Sequence, residues 1–160
     1  MGTEKLKFKL VLYATMWDKP PHAEIMINDQ SHFNGEITGT EDNPDVVEFE
    51  QELEEGEKYN LIINRSGKSK NQTIINEKGD ILKDQLLNIK SIEIDEIDIG
   101  ALVYEGVYKP QYPEPWATQQ KQADIDLPET FKNVTKMGHN GTWTFSFESP
   151  FYMWLLENLY

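Results

Sequence analysis

Short runs of alternating apolar and polar residues constrain the fold of this chain more than any other sequence feature. In the first run, Lys5 to Ala14, the apolar residues Leu6, Phe8, Leu10 and Leu12 occupy every second position. A period of two places such side chains on one face of a β-strand and the intervening residues on the other. The run is therefore predicted to be a strand that buries one face.

Further runs of this kind follow, separated by residues typical of turns. Strands are predicted in the regions 22–27, 33–38, 46–53, 59–63, 74–75, 89–99, 102–108 and 142–147. The segment Ile81 to Asn88 is compatible with a helical turn, although it is too short to stand alone. Short strands in hairpin order predict an all-β fold, an antiparallel β-sandwich or jelly roll, rather than alternating strands and helices.

The 160 residues suit one domain with a sizeable core. Residues 1–108 are expected to form the β-sandwich core, and residues 109–160 to complete the same domain. Pro110 to Asn140 has little periodicity and is predicted to be a long loop, ordered because it carries aromatic residues. After the last strand, Ser149 and Pro150 predict the start of a short C-terminal helix, since both residue types favour helix beginnings.

Charge excludes some partners. The chain has 28 acidic and 15 basic residues, a formal net charge of −13, so direct binding to nucleic acid is disfavoured. Ten carboxylates lie between Glu36 and Glu57 without a lysine or arginine, which indicates a solvated acidic face, a cation site or a dock for a basic partner. No apolar run reaches the ~20 residues of a membrane span or resembles a signal peptide. Synthesis in the cytoplasm is therefore expected, with no membrane partner.

Signatures of catalysis are missing from the sequence. Without cysteine, the chain has no disulfide, no thiolate metal ligand and no thiol nucleophile. It also lacks the Gly-x-Ser-x-Gly, phosphate-binding glycine loop and His-Glu-x-x-His patterns. A pair of carboxylates could still hydrolyse a glycosidic bond, but 28 acidic residues make that signal uninformative. The protein is predicted not to be an enzyme.

Aromatic residues in loops are the better indication of a binding site. Indole rings stack on the C–H faces of sugars, and neighbouring polar side chains bind the hydroxyls; the same residues also suit protein interfaces. A glycine-flanked loop at His139 allows close approach of a ligand. The predicted ligand-binding residues are Trp17, Asp18, Tyr112, Trp116, His139 and Asn140.

The end of the chain, Pro150 to Tyr160, is almost entirely apolar. Four of its eleven residues are aromatic, and only Glu157 is charged. Such a segment is either buried in its own domain or docked on a partner. The candidate partner-binding residues are Phe151, Tyr152, Trp154, Leu155, Leu159 and Tyr160.

Three segments resemble jelly-roll carbohydrate-binding modules, especially calcium-linked ones of the xylan-binding kind. They are Trp17 to Pro21, Leu53 to Tyr59 and Ile92 to Ile99, within a likeness that covers roughly Leu6 to Leu102. The resemblance implies a glycan-binding β-sandwich, with calcium as a candidate cofactor and Asp95 and Asp98 as its candidate ligands. Because side chains alternate along a strand, these acids would converge only with a bulge, and solvated acids are the alternative.

The last third is similar to small proteins of tailed bacteriophages, through Tyr112 to Trp116, Asn140 to Trp143 and Ser149 to Leu156. This likeness implies a virion-associated structural, decoration or adhesion protein that assembles with itself or with other virion proteins and can bind polysaccharide. A free-standing carbohydrate-binding protein is the first alternative. An acidic inhibitor of a host protein is the second.

Overall fold

The computed structural model describes residues 2–15, 20–66, 74–75, 81–83, 86–100, 106–110, 116–124, 130–132, 135–137 and 140–159; at 74–75, 81–83, 116–117 and 159 only the backbone is described. The described strands are β1 (Thr3–Thr15), β2 (His22–Ile27), β3 (Gln30–Glu36), β4 (Asp45–Glu54), β5 (Lys58–Ser66), β6 (Ile74–Ile75), β7 (Ile81–Lys83), β8 (Leu86–Ile94), β9 (Ile97–Asp98), β10 (Val107–Pro110), β11 (Phe131–Lys132), β12 (Lys136–Met137) and β13 (Gly141–Glu148). The described helices are α1 (Trp116–Gln122) and α2 (Phe151–Leu159).

Two antiparallel sheets form the body of the protein. The five-stranded sheet has the order β12-β8-β1-β4, with β9 paired to β8. The six-stranded sheet has the order β11-β10-β13-β5-β2-β3, and β6 and β7 form a separate pair. Side chains from both main sheets belong to one buried core. The predicted all-β antiparallel sandwich is thereby confirmed.

The core follows the alternation of the sequence. The predicted apolar positions of β1 are at most 1% exposed: Leu6, Phe8, Leu10 and Leu12. On β13 the buried positions are Trp143, Phe145 and Phe147. The rings of Phe8 and Phe147 lie 6.0 Å apart across the two sheets. Burial of side chains of this size contributes about 1.5–3 kcal/mol each, so these two faces hold the sandwich together.

The run from Ile89 to Ile99 is not one strand, and that prediction is wrong. The chain reverses at Asp95 and Glu96, whose φ angles are 54° and 68°, and β9 returns alongside β8. Positive φ at both central residues is the geometry of a tight two-residue hairpin, which favours glycine, asparagine and aspartate. Asp95 is of such a type but Glu96 is not, so the turn signal in the sequence is weak. As a result, Glu93 lies opposite Asp98 instead of on the other face.

Two further segments differ from expectation. In the described part of 81–88, the chain forms β7 and the start of β8 rather than a helical turn. Between Pro110 and Asn140, the predicted loop contains α1, β11 and β12. The strand β11 pairs with β10 at one edge of the six-stranded sheet, and β12 pairs with β8 at one edge of the five-stranded sheet. This segment therefore contributes an edge strand to each sheet.

The C-terminal helix α2 begins directly after Ser149 and Pro150, as predicted. Its cap comes from β1, because Glu4 Oε2 accepts hydrogen bonds from the backbone N of Phe151 at 2.7 Å and from Ser149 Oγ at 2.5 Å. Phe151 is 0% exposed, and its ring lies 5.9 Å from that of Phe147. Part of the apolar end is therefore packed on its own domain.

Candidate binding groove

Most of the ligand-binding residues predicted from the sequence lie outside the described residues, namely Trp17, Asp18, Tyr112 and His139. Trp116 opens α1, where only its backbone is described. Asn140 lies just before β13, and its Oδ1 accepts a hydrogen bond from Nη1 of the buried Arg65 at 2.7 Å. The ligand-binding role of all six stays a prediction.

A groove crosses the outer face of the five-stranded sheet, where β1 runs between β4 and β8. Its volume is about 470 Å³, within the ~300–1,000 Å³ typical of ligand pockets. The charged groove, as we call it, is lined by Lys7, Phe8, Lys9, Glu48, Phe49, Glu50, Glu93 and Glu96. Four carboxylates and two ammonium groups thus line one concave surface.

Strand register explains why these side chains meet. Lys7 lies opposite Glu50, while Lys9 lies opposite Glu48 on one side and opposite Glu93 on the other. Directly opposed residues of antiparallel strands point to the same face, so the polar halves of three alternating strands combine. Opposite charges on directly opposed residues attract one another, although only weakly where both are exposed. The same register that buries the apolar side chains therefore builds the groove.

Two ion pairs fix side chains at the groove. Lys5 Nζ lies 2.9 Å from Glu50 Oε2, and Lys9 Nζ lies 3.5 Å from Glu93 Oε2. The hydrogen bond and charge of Lys5 lower the pKa of Glu50, and Glu50 in turn raises the pKa of Lys5. The Glu50 side chain therefore stays an ionised hydrogen-bond acceptor. Because both side chains are largely exposed, the pair contributes little to stability.

The β8–β9 turn connects the groove to α2. Glu96 lines the groove, and the adjacent Asp95 donates its backbone N–H to the carbonyl of Lys7 at 2.6 Å. The Asp95 carboxylate accepts a hydrogen bond from the hydroxyl of Tyr152. This bond is the main reason why the pKa of Tyr152 is raised. Since Tyr152 is 45% exposed, an accessible aromatic ring is linked through this turn to one end of the groove.

The candidate calcium ligands already have hydrogen-bond partners within the protein. Asp95 accepts from Tyr152, and Asp98 Oδ1 accepts from the backbone N of Gly100 at 2.8 Å. Within the described part of the chain, no three histidine, aspartate or glutamate side chains are grouped so that they could hold a cation. Calcium binding by Asp95 and Asp98 stays a prediction, and the function proposed below uses no metal.

The candidate partner-binding residues divide between the two sides of α2. Phe151 and Leu155 are buried at 0% and 5%, whereas Tyr152 is exposed. Trp154 is partly buried, and its ring meets that of Phe145 edge-on at 5.6 Å. The Leu159 side chain and Tyr160 lie outside the described residues. Their common role in partner binding stays a prediction.

Two exposed apolar residues of α2, Met153 at 62% and Leu156 at 61%, escaped the sequence prediction. Helical spacing could have found Leu156, because it lies four positions after Tyr152 and three after Met153, and residues so spaced are neighbours on a helix surface. The groove also escaped prediction. Its acids were interpreted as a solvated strand face, since one sequence does not show which strands become neighbours.

Neither helix is long and apolar enough to cross a membrane, within the part of the chain that is described. No protein-family model matches the chain, and no curated protein matches it. Among solved structures, the selenomethionine form of vCBM60, from work on calcium-dependent carbohydrate-binding modules, aligns with a TM-score of 0.51. That alignment covers 88% of this chain and 89% of the module at 6% identity.

The chain shares its fold with this module. A second structure, vCBM60 in complex with galactobiose, aligns with a TM-score of 0.48 at 7% identity, over 87% of this chain and 96% of the other. The first likeness confirms the predicted resemblance to carbohydrate-binding modules at the level of the fold. It carries no residue roles, because the identity is so low.

Proposed function

We propose that this protein is a non-catalytic module that binds a polysaccharide in its charged groove. The groove carries the proposal: a concave surface of about 470 Å³ lined by hydrogen-bonding side chains on a rigid sheet. The fold shared with vCBM60 supports it as an analogy, because a fold alone does not determine function.

Recognition would use three kinds of contact. The carboxylates of Glu48, Glu50 and Glu93 accept hydrogen bonds from sugar hydroxyls, and the ammonium group of Lys7 donates to sugar oxygens. Hydrogen bonds with one charged partner are roughly twice as strong as neutral ones. The exposed ring of Tyr152 offers a flat surface for sugar C–H groups. The side chains project from adjacent strands of one sheet, and this fixed backbone lowers the entropy lost on binding.

A binding role suits Glu50 better than acid catalysis. A glycosidase needs one carboxyl group with a raised pKa that stays protonated and donates its proton to the leaving group. Lys5 shifts the pKa of Glu50 in the opposite direction. Glu50 is therefore suited to accepting hydrogen bonds.

Affinity electrophoresis through gels containing galactan, xylan, chitosan or polygalacturonate tests the proposal, with calcium and with a chelator. Retardation by one of these polymers is expected. Lys7→Met and Glu50→Gln should each weaken it about tenfold or more, since losing a charge-assisted hydrogen bond costs about 1.5–3 kcal/mol. Glu52→Gln is the matched control, because Glu52 is exposed on the same strand as Glu50 but does not line the groove.

Two outcomes would reject the charged groove as the polysaccharide-binding site. One is the absence of binding to every polymer. The other is binding that both groove variants retain in full and that Trp116→Ala abolishes, which would move the ligand to the aromatic segment predicted from the sequence.

We also propose that α2 attaches the protein to another protein. The exposed side chains of Tyr152, Met153 and Leu156 favour this second role. The resemblance to tailed-phage proteins implies that the partner is a virion protein and that the final location is the virion. Neighbouring genes for capsid or tail proteins are the finding expected from this proposal. Neighbouring genes for polysaccharide hydrolases would instead favour a free-standing carbohydrate-binding protein.

A further inference from the structure

One face of α2 is apolar and exposed while the other is packed on the core. Tyr152, Met153 and Leu156 are 45%, 62% and 61% exposed, and we call these three residues the apolar strip. Leu156 lies four positions after Tyr152 and three after Met153, so its side chain neighbours both on the helix surface. Single exposed apolar residues are ordinary, but a contiguous group marks an interaction site.

Carboxylates surround this helix. Glu4 binds the first turn of α2, Asp95 binds the hydroxyl of Tyr152, and Glu96 adjoins Asp95. The hydrogen bond to Asp95, followed by burial and by the negative charges of Asp95, Glu4 and Glu96, raises the pKa of Tyr152. The β4–β5 turn reaches the start of α2 as well, because Ser149 donates to the Glu57 carbonyl at 3.1 Å and accepts from Gly56 N at 2.7 Å. The acidic collar, as we call it, comprises Glu4, Asp95 and Glu96 together with the glutamates at the adjoining β4–β5 turn, Glu54, Glu55 and Glu57.

Among the described residues, few positive charges lie at this end of the protein. The helix α2 contains no lysine or arginine, and its one charged residue is Glu157. Of the described lysines nearby, Lys58 lies 3.9 Å from Glu148, Lys5 is paired with Glu50, and Lys7 lies in the charged groove with Glu96. Among the described residues near the apolar strip, carboxylates therefore outnumber ammonium groups.

This charge distribution decides which partner fits the strip. A second copy of the chain would bring two identical acidic collars together, and each copy carries a formal charge of −13. Two like charges 4 Å apart repel by about 1 kcal/mol even in water, and more where water is excluded. Anionic membranes and nucleic acids are disfavoured for the same reason. Only a cationic partner gains from both the apolar strip and the collar.

We propose that the apolar strip and the acidic collar together dock a cationic amphipathic segment of another protein. Apolar side chains of that segment pack on Tyr152, Met153 and Leu156, and its lysine or arginine side chains pair with the collar. The inference rests on the attachment role proposed for α2 and names the chemistry of the partner.

Fluorescence anisotropy on the full chain tests this with three labelled synthetic peptides. The first is an amphipathic helix of leucine and lysine, the second has glutamine in place of lysine, and the third is a lysine homopolymer of equal length. The first is expected to bind at least tenfold more tightly than either of the others. Its affinity should fall as salt rises, because exposed charges are screened.

Two double variants locate the site. Met153→Ser with Leu156→Ser should weaken binding of the leucine–lysine peptide at least tenfold, and Glu55→Gln with Glu96→Gln should weaken it severalfold. The matched control is Glu36→Gln with Asp42→Asn, which removes the same charge from exposed positions beyond the opposite end of β4. This control should bind almost as the unmodified protein does. The substituted side chains are all exposed, so the fold is expected to persist, as circular dichroism can verify.

Several results would overturn the inference. Equal binding of the glutamine peptide would show apolar attachment without recognition of charge, and would leave the attachment role of α2 standing. Equal binding of the lysine homopolymer, undiminished by the strip variant, would show general attraction to an acidic protein. A dimer in light scattering that the strip variant dissociates would identify a second copy as the occupant. Failure of all three peptides to bind would reject the cationic partner.

Discussion

Removing the Glu4 carboxylate is expected to loosen α2 from the sandwich. This side chain lies on β1 and accepts hydrogen bonds from the backbone N of Phe151 and from the hydroxyl of Ser149. Ser149 is only 3% exposed, so water has little access to its hydroxyl once the carboxylate is gone. The first turn of the helix loses its cap in the same change.

The cost can be worked out from these contacts. Loss of a helix cap costs about 1 kcal/mol, loss of a negative charge at a helix N-terminus costs about 0.3–1 kcal/mol, and an unpaired buried hydroxyl costs about 1–3 kcal/mol. Because these effects overlap, Glu4→Ala should lower the free energy of unfolding by about 2–3 kcal/mol. Glu4→Gln keeps an acceptor oxygen and should cost about 1 kcal/mol. In a domain of this size the alanine variant should melt about 4–12 °C lower.

Urea denaturation followed by circular dichroism measures these differences. Glu52→Gln serves as the control, since this exposed glutamate on β4 should change stability by less than about 0.5 kcal/mol. Ser149→Ala, alone and combined with Glu4→Ala, completes a double-mutant cycle with an expected coupling above about 0.5 kcal/mol. If Glu4→Ala proves as stable as Glu52→Gln, the carboxylate does not anchor the helix and the reasoning is refuted.

Three further outcomes are expected. Gly106→Ala should lower the free energy of unfolding in urea by about 1–3 kcal/mol or more, because a Cβ at this position would lie 2.3 Å from ring atoms of the buried Trp143. An unchanged urea midpoint would contradict this packing. Since the pKa of Tyr152 is raised in the folded protein above its ordinary value of 10.0, the folded state holds this proton more tightly than the unfolded chain does. The stability gained is present below pH 10 and is lost as the pH rises beyond it. Urea midpoints measured across the alkaline range should therefore fall less in Asp95→Asn than in the unmodified protein. An identical fall would contradict the hydrogen bond between Asp95 and Tyr152. Lys5→Ala removes an exposed ion pair and should leave the urea midpoint almost unchanged, because solvent screens the pair; a clear fall in the midpoint would contradict this.

Local patterns predicted the elements that depend on a single segment. The alternation in β1 and β13 predicted both the strands and their buried faces, because burial of one face requires nothing more than a period of two. Ser149 and Pro150 likewise predicted the start of α2. The binding sites were less accessible to sequence reasoning. The groove depends on Lys7 lying opposite Glu50, residues that are far apart in the chain and of types common on any surface.

The sequence by itself determined an all-β chain, its core faces, its strong negative charge and its apolar end, since each follows from the order and type of neighbouring residues. Tertiary structure alone decided where the chain reverses at Asp95, which carboxylates gather on one face, and that the cap of α2 comes from Glu4 rather than from Ser149. Those outcomes depend on strand register and on contacts between segments up to 147 positions apart. Such contacts are selected by packing of the whole core, and no local pattern encodes them.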